Sequence, residues 1–413
     1  MEKHQTSETI KKIFKKNFND TFIFDNFKNK NYTYGQFLVD VLSLQSNLKK
    51  FGLKKGDLIC CLLENSYDFV VLYFASLLHN VVVVPVDPLK GENEIKTILE
   101  EIQPQIIFID KKNQDYEKSV VLNELVLKNK NNYEKKINFT AFDNVDYNNL
   151  FLITFTSGST GKSKGVLHSF NDLYLSSFAF AKKFEFNEKN IFFHNLPMTY
   201  MAGILNLIFL PFFSESKIVL ANKFNFSEVI NFWDLPIKYN VNSFWFIPTI
   251  IELLIRLDRG KTGINYTKNN KIICCVATAP LNLQSKKIFE EKYQINLYES
   301  YGLSETLFVT TNNILEKKNF TVGKSLDGVD LTFAENEIMI KTPWNFFGCF
   351  KGEKNYQSNE KFASGDLGCL DSSGFLKITG RKKDLIIKGG VNISPKKIRN
   401  LFQILMYIWN LLF

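Results

Sequence analysis

The sequence has little cysteine, and the cysteines it has form no metal or disulfide pattern. The six lie at positions 60, 61, 274, 275, 349 and 369 of 413 residues. Two adjacent pairs and two single cysteines give no C-x-x-C metal-binding spacing and no secreted disulfide framework. Because the pairs lie in the apolar runs LICCLL and KIICCVA, we expect free, buried thiols in a reducing cytoplasm.

A hydrophobic run long enough to span a bilayer is also missing. The N-terminal stretch MEKHQTSETIKKIFKKNF lacks the apolar centre of a signal peptide, and the apolar stretch LFQILMYIWNLLF is too short to cross a membrane. Lys11, Lys12, Lys15 and Lys16 fit either a helix on a membrane surface or the solvated face of an ordinary surface helix, and we favour the second. We predict a cytoplasmic protein without a transmembrane segment.

Positive charge prevails without being concentrated. The formal net charge is +9, but the lysines form no long basic tail and no aromatic–basic platform of the kind that binds single-stranded nucleic acid. With 45% hydrophobic and 23% charged residues the chain is globular, and its length predicts more than one domain or subdomain. We predict no nucleic-acid partner, and some attraction for anionic substrates.

Short apolar strands alternate with helices in the first part of the chain. Strand segments such as LICCLL, VVVVPVD and QIIFID are separated by helical segments such as YDFVVLYFASLLHN and NEIKTILEEIQ. This alternation predicts an α/β fold with a parallel sheet covered on both faces. The polar residues 111–149 are expected to form a surface excursion. After about residue 322, short strands and glycine-containing turns predict an antiparallel, β-barrel-like subdomain.

The segment TSGSTGKSKGV, residues 156–166, has the composition of a phosphate-binding loop. Its glycines let backbone N–H groups approach an anion, its hydroxyls add donors, and its lysines add positive charge. It follows a buried strand and is expected to run towards a helix. The Walker A pattern GxxxxGK[ST] needs glycine at position 156, where the sequence has Thr156, so that pattern is excluded.

This segment resembles the phosphate loop of the adenylate-forming, or AMP-binding, superfamily, which includes acyl- and aryl-CoA synthetases. That loop reads TSG[ST]TGxPKGV, and the chain differs only at Ser163, where the family has proline. The resemblance extends to three further segments: LKKGDLICCLLENSYDFVVLYFASLLHNVVVVPVDP, CCVATAPLNLQSKKIFEEKYQINLYESYGLSET and ASGDLGCLDSSGFLKITGRKKDLIIKGGVNISPKKI. Several ordered motifs make chance agreement implausible.

The resemblance implies ATP and Mg²⁺ as cofactors, CoA as co-substrate, and a role for each matching residue. Thr156, Lys164 and Glu305 are expected to be catalytic, with Glu305 as the Mg²⁺ ligand. Asp366 would accept from the ribose hydroxyls, and Lys383 would be the hinge about which the C-terminal domain turns. Residues 278–280 would line the adenine slot, and Ser304 would lie beside the α-phosphate. The expected nucleotide-binding residues are Thr156, Ser157, Gly158, Ser159, Thr160, Gly161, Lys164, Thr278, Ala279, Pro280, Tyr301, Gly302, Ser304, Asp366 and Arg381.

The acid-binding pocket is less clearly marked. By resemblance, the segment NLPMTYMAGILN places Tyr200 where CoA ligases often have histidine and makes Gly203 a pocket residue. The run ILNLIFLPFF fits either the pocket or plain core. His168 is expected to be a polar surface residue, and Phe170 stands where many relatives have histidine.

These motifs predict a domain of residues 1–380 and a short second part. The AMP-binding adenylation domain would have two α/β subdomains to about residue 321 and the β-rich subdomain over about 322–380. Residues 381–413 would hold the hinge and the incomplete, truncated start of an α+β C-terminal domain, because LFQILMYIWNLLF resembles nothing in the family. The missing lobe carries the family's lysine for adenylation, so we expect activity to be impaired.

The predicted function is ATP-dependent activation of a carboxylic acid, of fatty or aryl type, as an acyl-adenylate. Transfer of the acyl group to a thiol, CoA in the favoured version, would follow, which makes the chain an acid–thiol ligase. Two alternatives stay open: an adenylation domain that loads a phosphopantetheinyl carrier protein, and a catalytically defective remnant that binds nucleotide. The sequence contains no fused carrier domain, which favours CoA.

Overall fold

The structure, a computed structural model, describes residues 2–111, 116, 118–127, 139–157, 163–344, 348–351, 360–384, 386–388 and 391–393. No helix in these ranges is long and apolar enough to cross a membrane. The apolar stretch at 401–413, on which part of the domain prediction depends, lies outside them.

The strands are short, as expected for strands buried on both faces. Within the described ranges they are β1 (Thr21–Asp25), β2 (Lys30–Thr33), β3 (Leu58–Leu62), β4 (Val82–Pro85), β5 (Ile106–Ile109), β6 (Ser119–Val121), β7 (Leu150–Ser157), β8 (Ser163–Ser169), β9 (Ile191–His194), β10 (Lys217–Leu220), β11 (Ser243–Phe246), β12 (Ile273–Val276), β13 (Leu297–Leu303), β14 (Leu307–Thr311), β15 (Lys324–Ser325), β16 (Asp330–Ala334), β17 (Glu337–Lys341), β18 (Gly348–Cys349), β19 (Phe362–Leu370), β20 (Leu376–Arg381), β21 (Ile386–Lys388) and β22 (Val391–Ile393).

The helices connect these strands. They are α1 (Glu2–Lys16), α2 (Tyr34–Lys50), α3 (Tyr67–His79), α4 (Glu92–Ile102), α5 (Leu122–Leu127), α6 (Phe170–Phe184), α7 (Met201–Ile204), α8 (Leu210–Phe213), α9 (Asp234–Lys238), α10 (Pro248–Leu257), α11 (Thr262–Asn269) and α12 (Leu283–Tyr293). A π-helical turn, Leu205–Phe209, joins α7 to α8, and 3₁₀ turns occupy Phe139–Asn144, Phe226–Val229 and Lys382–Asp384. The starts of α2 and α6 carry capping boxes, Thr33 with Gln36 and Ser169 with Asp172.

Two large sheets carry the fold. The first has the order β15-β14-β13-β12-β11-β9-β10-β1-β2, and its six central strands, from β13 to β1, are parallel. The second has the order β18-β8-β7-β4-β3-β5-β6 and is parallel from β7 to β6. Helical crossovers join the parallel strands, and the strands read as continuous apolar runs because both faces are covered. The predicted α/β class is confirmed.

A smaller sheet follows in the chain. It is antiparallel, with the order β16-β17-β19-β20, and it corresponds to the predicted β-rich region. Beyond the 3₁₀ turn that follows it, β21 and β22 form a two-stranded ladder. The short strand β18, which lies between β17 and β19 in the sequence, pairs with β8 of the second large sheet. This pairing connects the β-rich region to that sheet.

The described residues of the segment at 111–149 are not all exposed, as a surface excursion would require. In its described part, Phe142 and Tyr147 are 0% and 1% exposed, and Leu122 and Val126 are buried in the main core. The composition of the segment as a whole is polar, so it does not reveal the few large apolar side chains that pack into the core.

Two other segments resolve open alternatives. Helix α1 buries Ile10, Ile13 and Phe14 while Lys11 pairs with Asp143 at 2.7 Å, so it is a surface helix docked on the body. The run ILNLIFLPFF, residues 204–213, is buried throughout and lies in the main aromatic core.

Candidate nucleotide and acid site

The two strands that flank the predicted phosphate loop form a β-hairpin. β7 and β8 pair antiparallel, with Thr156 opposite Lys164 and Ser157 opposite Ser163. The segment runs towards a helix as expected, through β8, and α6 begins at Phe170. The residues Gly158, Ser159, Thr160 and Gly161, and the side chain of Ser157, lie outside the described part of the chain.

Lys164 and Glu305 come together beside this hairpin, although 141 positions separate them in the sequence. The Nζ of Lys164 lies 3.9 Å from Oε1 of Glu305, and the two side chains are 45% and 19% exposed. The hydroxyl of Thr156 donates to the backbone carbonyl of Lys164 at 3.4 Å. At 3.9 Å the two charges attract without a hydrogen bond to each other.

Glu305 lies in the tight turn between β13 and β14. The N–H of Leu303 donates to the hydroxyl of Thr306 at 3.3 Å, and the N–H of Thr306 donates to the carbonyl of Leu303 at 3.2 Å. Gly302 permits this turn, because a Cβ at that position would lie 1.9 Å from the carbonyl oxygen of Leu307. Only glycine fits at position 302 without displacing the backbone of Leu307.

His168 is not the surface residue that the sequence predicts. It is 0% exposed, and its Nε2 lies 2.6 Å from the carbonyl oxygen of Ser304. Burial lowers the pKa of His168 to about 4. A carbonyl only accepts, so the neutral ring carries its proton on Nε2. Ser304, predicted beside the α-phosphate, is thus held through its backbone.

Asp366 is the centre of a second cluster. It is 3% exposed, and its two carboxylate oxygens accept from the Tyr301 hydroxyl at 2.8 Å and from Arg381 Nε at 2.7 Å. Burial and the Asp366 charge raise the pKa of Tyr301 well above its ordinary value, so the phenol keeps its proton. Antiparallel pairing of β19 with β20 places Asp366 opposite Arg381. Three predicted ribose and nucleotide residues are therefore in direct contact.

The predicted adenine slot follows β12 at the carboxyl edge of the first sheet. Thr278, Ala279 and Pro280 are exposed there. Thr278 has φ of 78°, a left-handed conformation that is rare for a β-branched residue. Backbone strain of this kind is retained at sites where the surrounding structure over-determines it.

The hinge position follows directly on Arg381. Lys383 is exposed in the 3₁₀ turn Lys382–Asp384. The preceding residue, Lys382, forms an ion pair of 2.9 Å with Glu337, whose other oxygen accepts from the N–H of Gly365 at 3.0 Å. The turn that holds the predicted hinge residue is therefore attached to the sheet that carries Asp366.

The two predicted pocket residues play different parts. Tyr200 is 45% exposed at the start of α7; burial raises its pKa, and the nearby charge of Arg381 opposes that rise. Gly203 is buried, and a Cβ there would lie 1.9 Å from the carbonyl oxygen of Pro197, so close backbone packing requires glycine. Phe170 is 0% exposed in the aromatic core.

Sequence reasoning missed three residues that support the site: His168, Trp344 and Glu337. Trp344 is 1% exposed, and its Nε1 donates to the carbonyl of Thr306 at 2.8 Å. No local pattern marks these residues, because each acts on a segment that is distant in the sequence.

The donor set suits a magnesium ion shared with a nucleotide. Among the described residues, no group of three or more His, Cys, Asp or Glu side chains could hold a metal by itself. Mg²⁺ is typically bound by one or two carboxylates together with substrate phosphates. Glu305 supplies one such carboxylate next to the phosphate hairpin, so its surroundings fit a metal that arrives with ATP.

The family model described as AMP-binding enzyme matches residues 11–342. The chain therefore belongs to the AMP-binding enzyme family, which confirms the resemblance found in the sequence. It is 26% identical over 395 residues to a 2-succinylbenzoate–CoA ligase of Bacillus velezensis, covering 90% of this chain and 77% of the relative. It is 27% identical over 277 residues to a malonate–CoA ligase of Arabidopsis thaliana, covering 60% of this chain and 45% of the relative.

Solved structures share the fold. ATP-bound MatB from Rhodopseudomonas palustris superposes with a TM-score of 0.79 at 22% identity, covering 95% of this chain and 82% of that one. The anthranilate CoA ligase AuaEII in complex with anthranoyl-AMP gives a TM-score of 0.82 at 15% identity, covering 95% and 80%. These likenesses confirm the α/β architecture.

Proposed function

We propose that this chain activates a carboxylic acid with ATP as an acyl-adenylate and transfers the acyl group to CoA. The observation that carries the proposal is the approach of Lys164 to Glu305 at 3.9 Å, where the phosphate hairpin meets the turn after β13. A cation and a carboxylate that are close but not hydrogen-bonded form a receptive site for a phosphate and its metal. Membership of the AMP-binding enzyme family and the CoA ligases among the relatives support the same chemistry.

The proposed reaction has two steps, formation of the acyl-adenylate and transfer of the acyl group to CoA. A carboxylate oxygen of the acid attacks the α-phosphorus of ATP, the bond to the bridging oxygen breaks, and pyrophosphate leaves with the electron pair. The CoA sulfur, having lost its proton, then attacks the acyl carbon, and AMP leaves. In such reactions the protein contributes positioning and charge stabilisation more than covalent chemistry.

The described residues divide this work between two clusters. Thr156 and Lys164 would hold the β- and γ-phosphates from the hairpin, with the metal supplying charge neutralisation through Glu305. Asp366 would accept from the ribose hydroxyls while Arg381 lies close by. Because Tyr301 is fixed by its bond to Asp366, its ring would pack against the nucleotide in a defined place.

The acid would lie near Tyr200, whose pKa responds to the charge of Arg381. The relatives that are named 2-succinylbenzoate–CoA ligase and malonate–CoA ligase act on quite different acids. We therefore assign the substrate only as a small carboxylic acid, aryl or aliphatic. We also propose a cytoplasmic location, because the four cysteines of the two adjacent pairs are free and buried.

Acid-dependent exchange of labelled pyrophosphate into ATP tests adenylate formation across a panel of aryl and alkyl acids. Exchange that needs Mg²⁺ and one class of acid is expected. Exchange that is absent with every acid, while ATP still binds, would contradict the activity and leave a nucleotide-binding protein. Supplying free CoA or a phosphopantetheinylated carrier protein in parallel then identifies the acceptor, and thioester on the carrier alone would overturn the choice of CoA.

A further inference from the structure

We infer that His168 and Trp344 are positioning residues that hold Glu305 in place for the metal. The inference rests on the proposed function and adds two residues to it. It also assigns a purpose to a histidine and a tryptophan that neither the motifs nor the family match single out.

The two carbonyls that flank Glu305 are each bound by a ring N–H from elsewhere in the chain. His168 Nε2 donates to the carbonyl of Ser304 at 2.6 Å, and Trp344 Nε1 donates to the carbonyl of Thr306 at 2.8 Å. The Ser304 carbonyl belongs to the peptide group before Glu305, and the peptide group after Glu305 is held by the N–H of Thr306, which donates to the Leu303 carbonyl at 3.2 Å. The Trp344 bond fixes the next peptide group along the chain, so the backbone of Glu305 has little freedom to rotate. Its carboxylate therefore stays on the side where Lys164 lies.

His168 lies on β8, which is one of the two strands of the phosphate hairpin. Lys164 and His168 are four residues apart on β8, so both side chains lie on the same face of the strand. One reaches the Glu305 carboxylate and the other the Ser304 carbonyl. Because β8 is paired on one side with β7 and on the other with β18, it is a rigid support. The spacing between the hairpin and the metal carboxylate is thus set by a single strand.

Burial protects the hydrogen bonds that His168 and Trp344 donate. His168 is 0% exposed and Trp344 1% exposed, so water does not compete for the two carbonyls. The pKa of His168, lowered to about 4 by burial, keeps the ring neutral at ordinary pH, and no charge is added next to the metal position. Outer partners that orient a metal ligand typically matter about 10- to 100-fold in metal affinity.

The test measures metal-dependent nucleotide binding without requiring turnover. A fluorescent ATP analogue is titrated in EDTA and then at rising Mg²⁺, which gives the half-saturating Mg²⁺ concentration. His168→Leu and Trp344→Phe are expected to raise that concentration about 10-fold or more and to leave affinity in EDTA within about twofold. His168→Gln retains an N–H donor and should recover most of the loss.

The chain offers a matched control for each variant. His194 is 0% exposed and Trp245 1% exposed, and neither His194 ring nitrogen nor the Trp245 indole nitrogen has a hydrogen-bond partner among the described residues. His194→Leu and Trp245→Phe therefore remove comparable buried rings without releasing the turn. They should leave the half-saturating Mg²⁺ concentration unchanged.

The outcomes separate this inference from the function on which it rests. A wild-type protein without Mg²⁺-dependent ATP binding would overturn the proposed function, and the inference with it. Normal wild-type binding combined with unshifted Mg²⁺ dependence in folded His168→Leu and Trp344→Phe overturns the inference alone, as does an equal shift in the two controls. If His168→Leu does not fold, the Trp344→Phe and Trp245→Phe pair decides.

Discussion

The hydroxyl of Tyr301 donates a hydrogen bond of 2.8 Å to Asp366, which joins the end of β13 in the large sheet to β19 in the small one. The second oxygen of Asp366 is bound by Arg381 at 2.7 Å. The carboxylate is thus fixed in orientation before any nucleotide binds, and its remaining lone pairs are available to ribose hydroxyls. Such preorganisation reduces the ordering cost of binding.

Asp366→Asn should weaken ATP binding about 10- to 100-fold, because hydrogen bonds to a charged group contribute about 1.5–3 kcal/mol. The dissociation constant measured by calorimetry tests this. Asp371→Asn is the matched control, since Asp371 belongs to the same hairpin but pairs with Lys318 at 2.6 Å. Equal losses in both variants would mean that the hairpin, and not the ribose contact, had been damaged.

Lys164→Gln should weaken ATP binding and leave the free energy of unfolding almost unchanged. The Lys164–Glu305 contact is partly exposed at 3.9 Å, so its loss should change the free energy of unfolding by no more than about 0.5 kcal/mol. ATP affinity should nevertheless fall about 10-fold or more, since a charged phosphate contact is removed. Urea unfolding and nucleotide titration provide the two numbers, and Lys324→Gln, which breaks a surface pair with Glu316, should alter neither by much.

The pairing of Asp366 with Arg381 could be predicted, but the contact of His168 with Ser304 could not. The turn DSSG between two strand segments indicates a hairpin, and a hairpin brings residues on either side of the turn together. His168 reaches across 136 residues to a turn attached to the other large sheet. A lone histidine in an alternating strand carries no signal of such a partner, and its polarity predicts exposure instead.

The fold followed from local patterns more readily than the site. Continuous apolar runs predicted the parallel strands because burial on both faces demands them. The polar composition of residues 111–149 predicted exposure, but Phe142 and Tyr147, in the described part of this segment, are buried in the core. The phosphate segment predicted a loop on the way to a helix, and the structure places the additional strand β8 before that helix, α6.

Thr278 provides a test of backbone strain at the adenine slot. With φ of 78° and an exposed side chain, Thr278→Gly should be more stable than Thr278→Ala by about 1 kcal/mol, because the left-handed region penalises any Cβ. Thr97, exposed in α4, is the control, and there alanine should be the more stable by about 1 kcal/mol. The midpoint of urea unfolding is the measurement. The same order at both positions would show that Thr278 is not strained.

Acid should destabilise the protein through its buried histidines. Burial lowers the pKa of both His168 and His194 to about 4, whereas an unfolded histidine titrates near 6.5. The unfolded state therefore binds more protons between pH 6.5 and 4, and stability is present above this window and lost as pH falls through it. Each histidine should cost about 2 kcal/mol between pH 7 and 5.

His194→Gln isolates one of these contributions. The difference in unfolding free energy between wild type and variant should shrink by about 2 kcal/mol when the pH is lowered from 7 to 5. Urea unfolding at the two pH values measures it. A difference that does not change with pH would show that His194 titrates alike in both states.

The arrangement of the cysteines gives the protein its own attachment points for a reporter dye. Cys60, Cys61, Cys274 and Cys275 are buried, and burial raises the pKa of Cys60 to about 12 and those of the other three well above the ordinary range. A thiol-directed fluorophore at neutral pH is thereby confined to Cys369 and the partly buried Cys349. Cys369 is three residues from Asp366, and Cys349 pairs with Val166 on the strand that holds Lys164. The two labels lie on β19 and β18, next to the two clusters proposed to bind nucleotide, so a change in dye signal on adding ATP would report on each cluster in the unmutated chain.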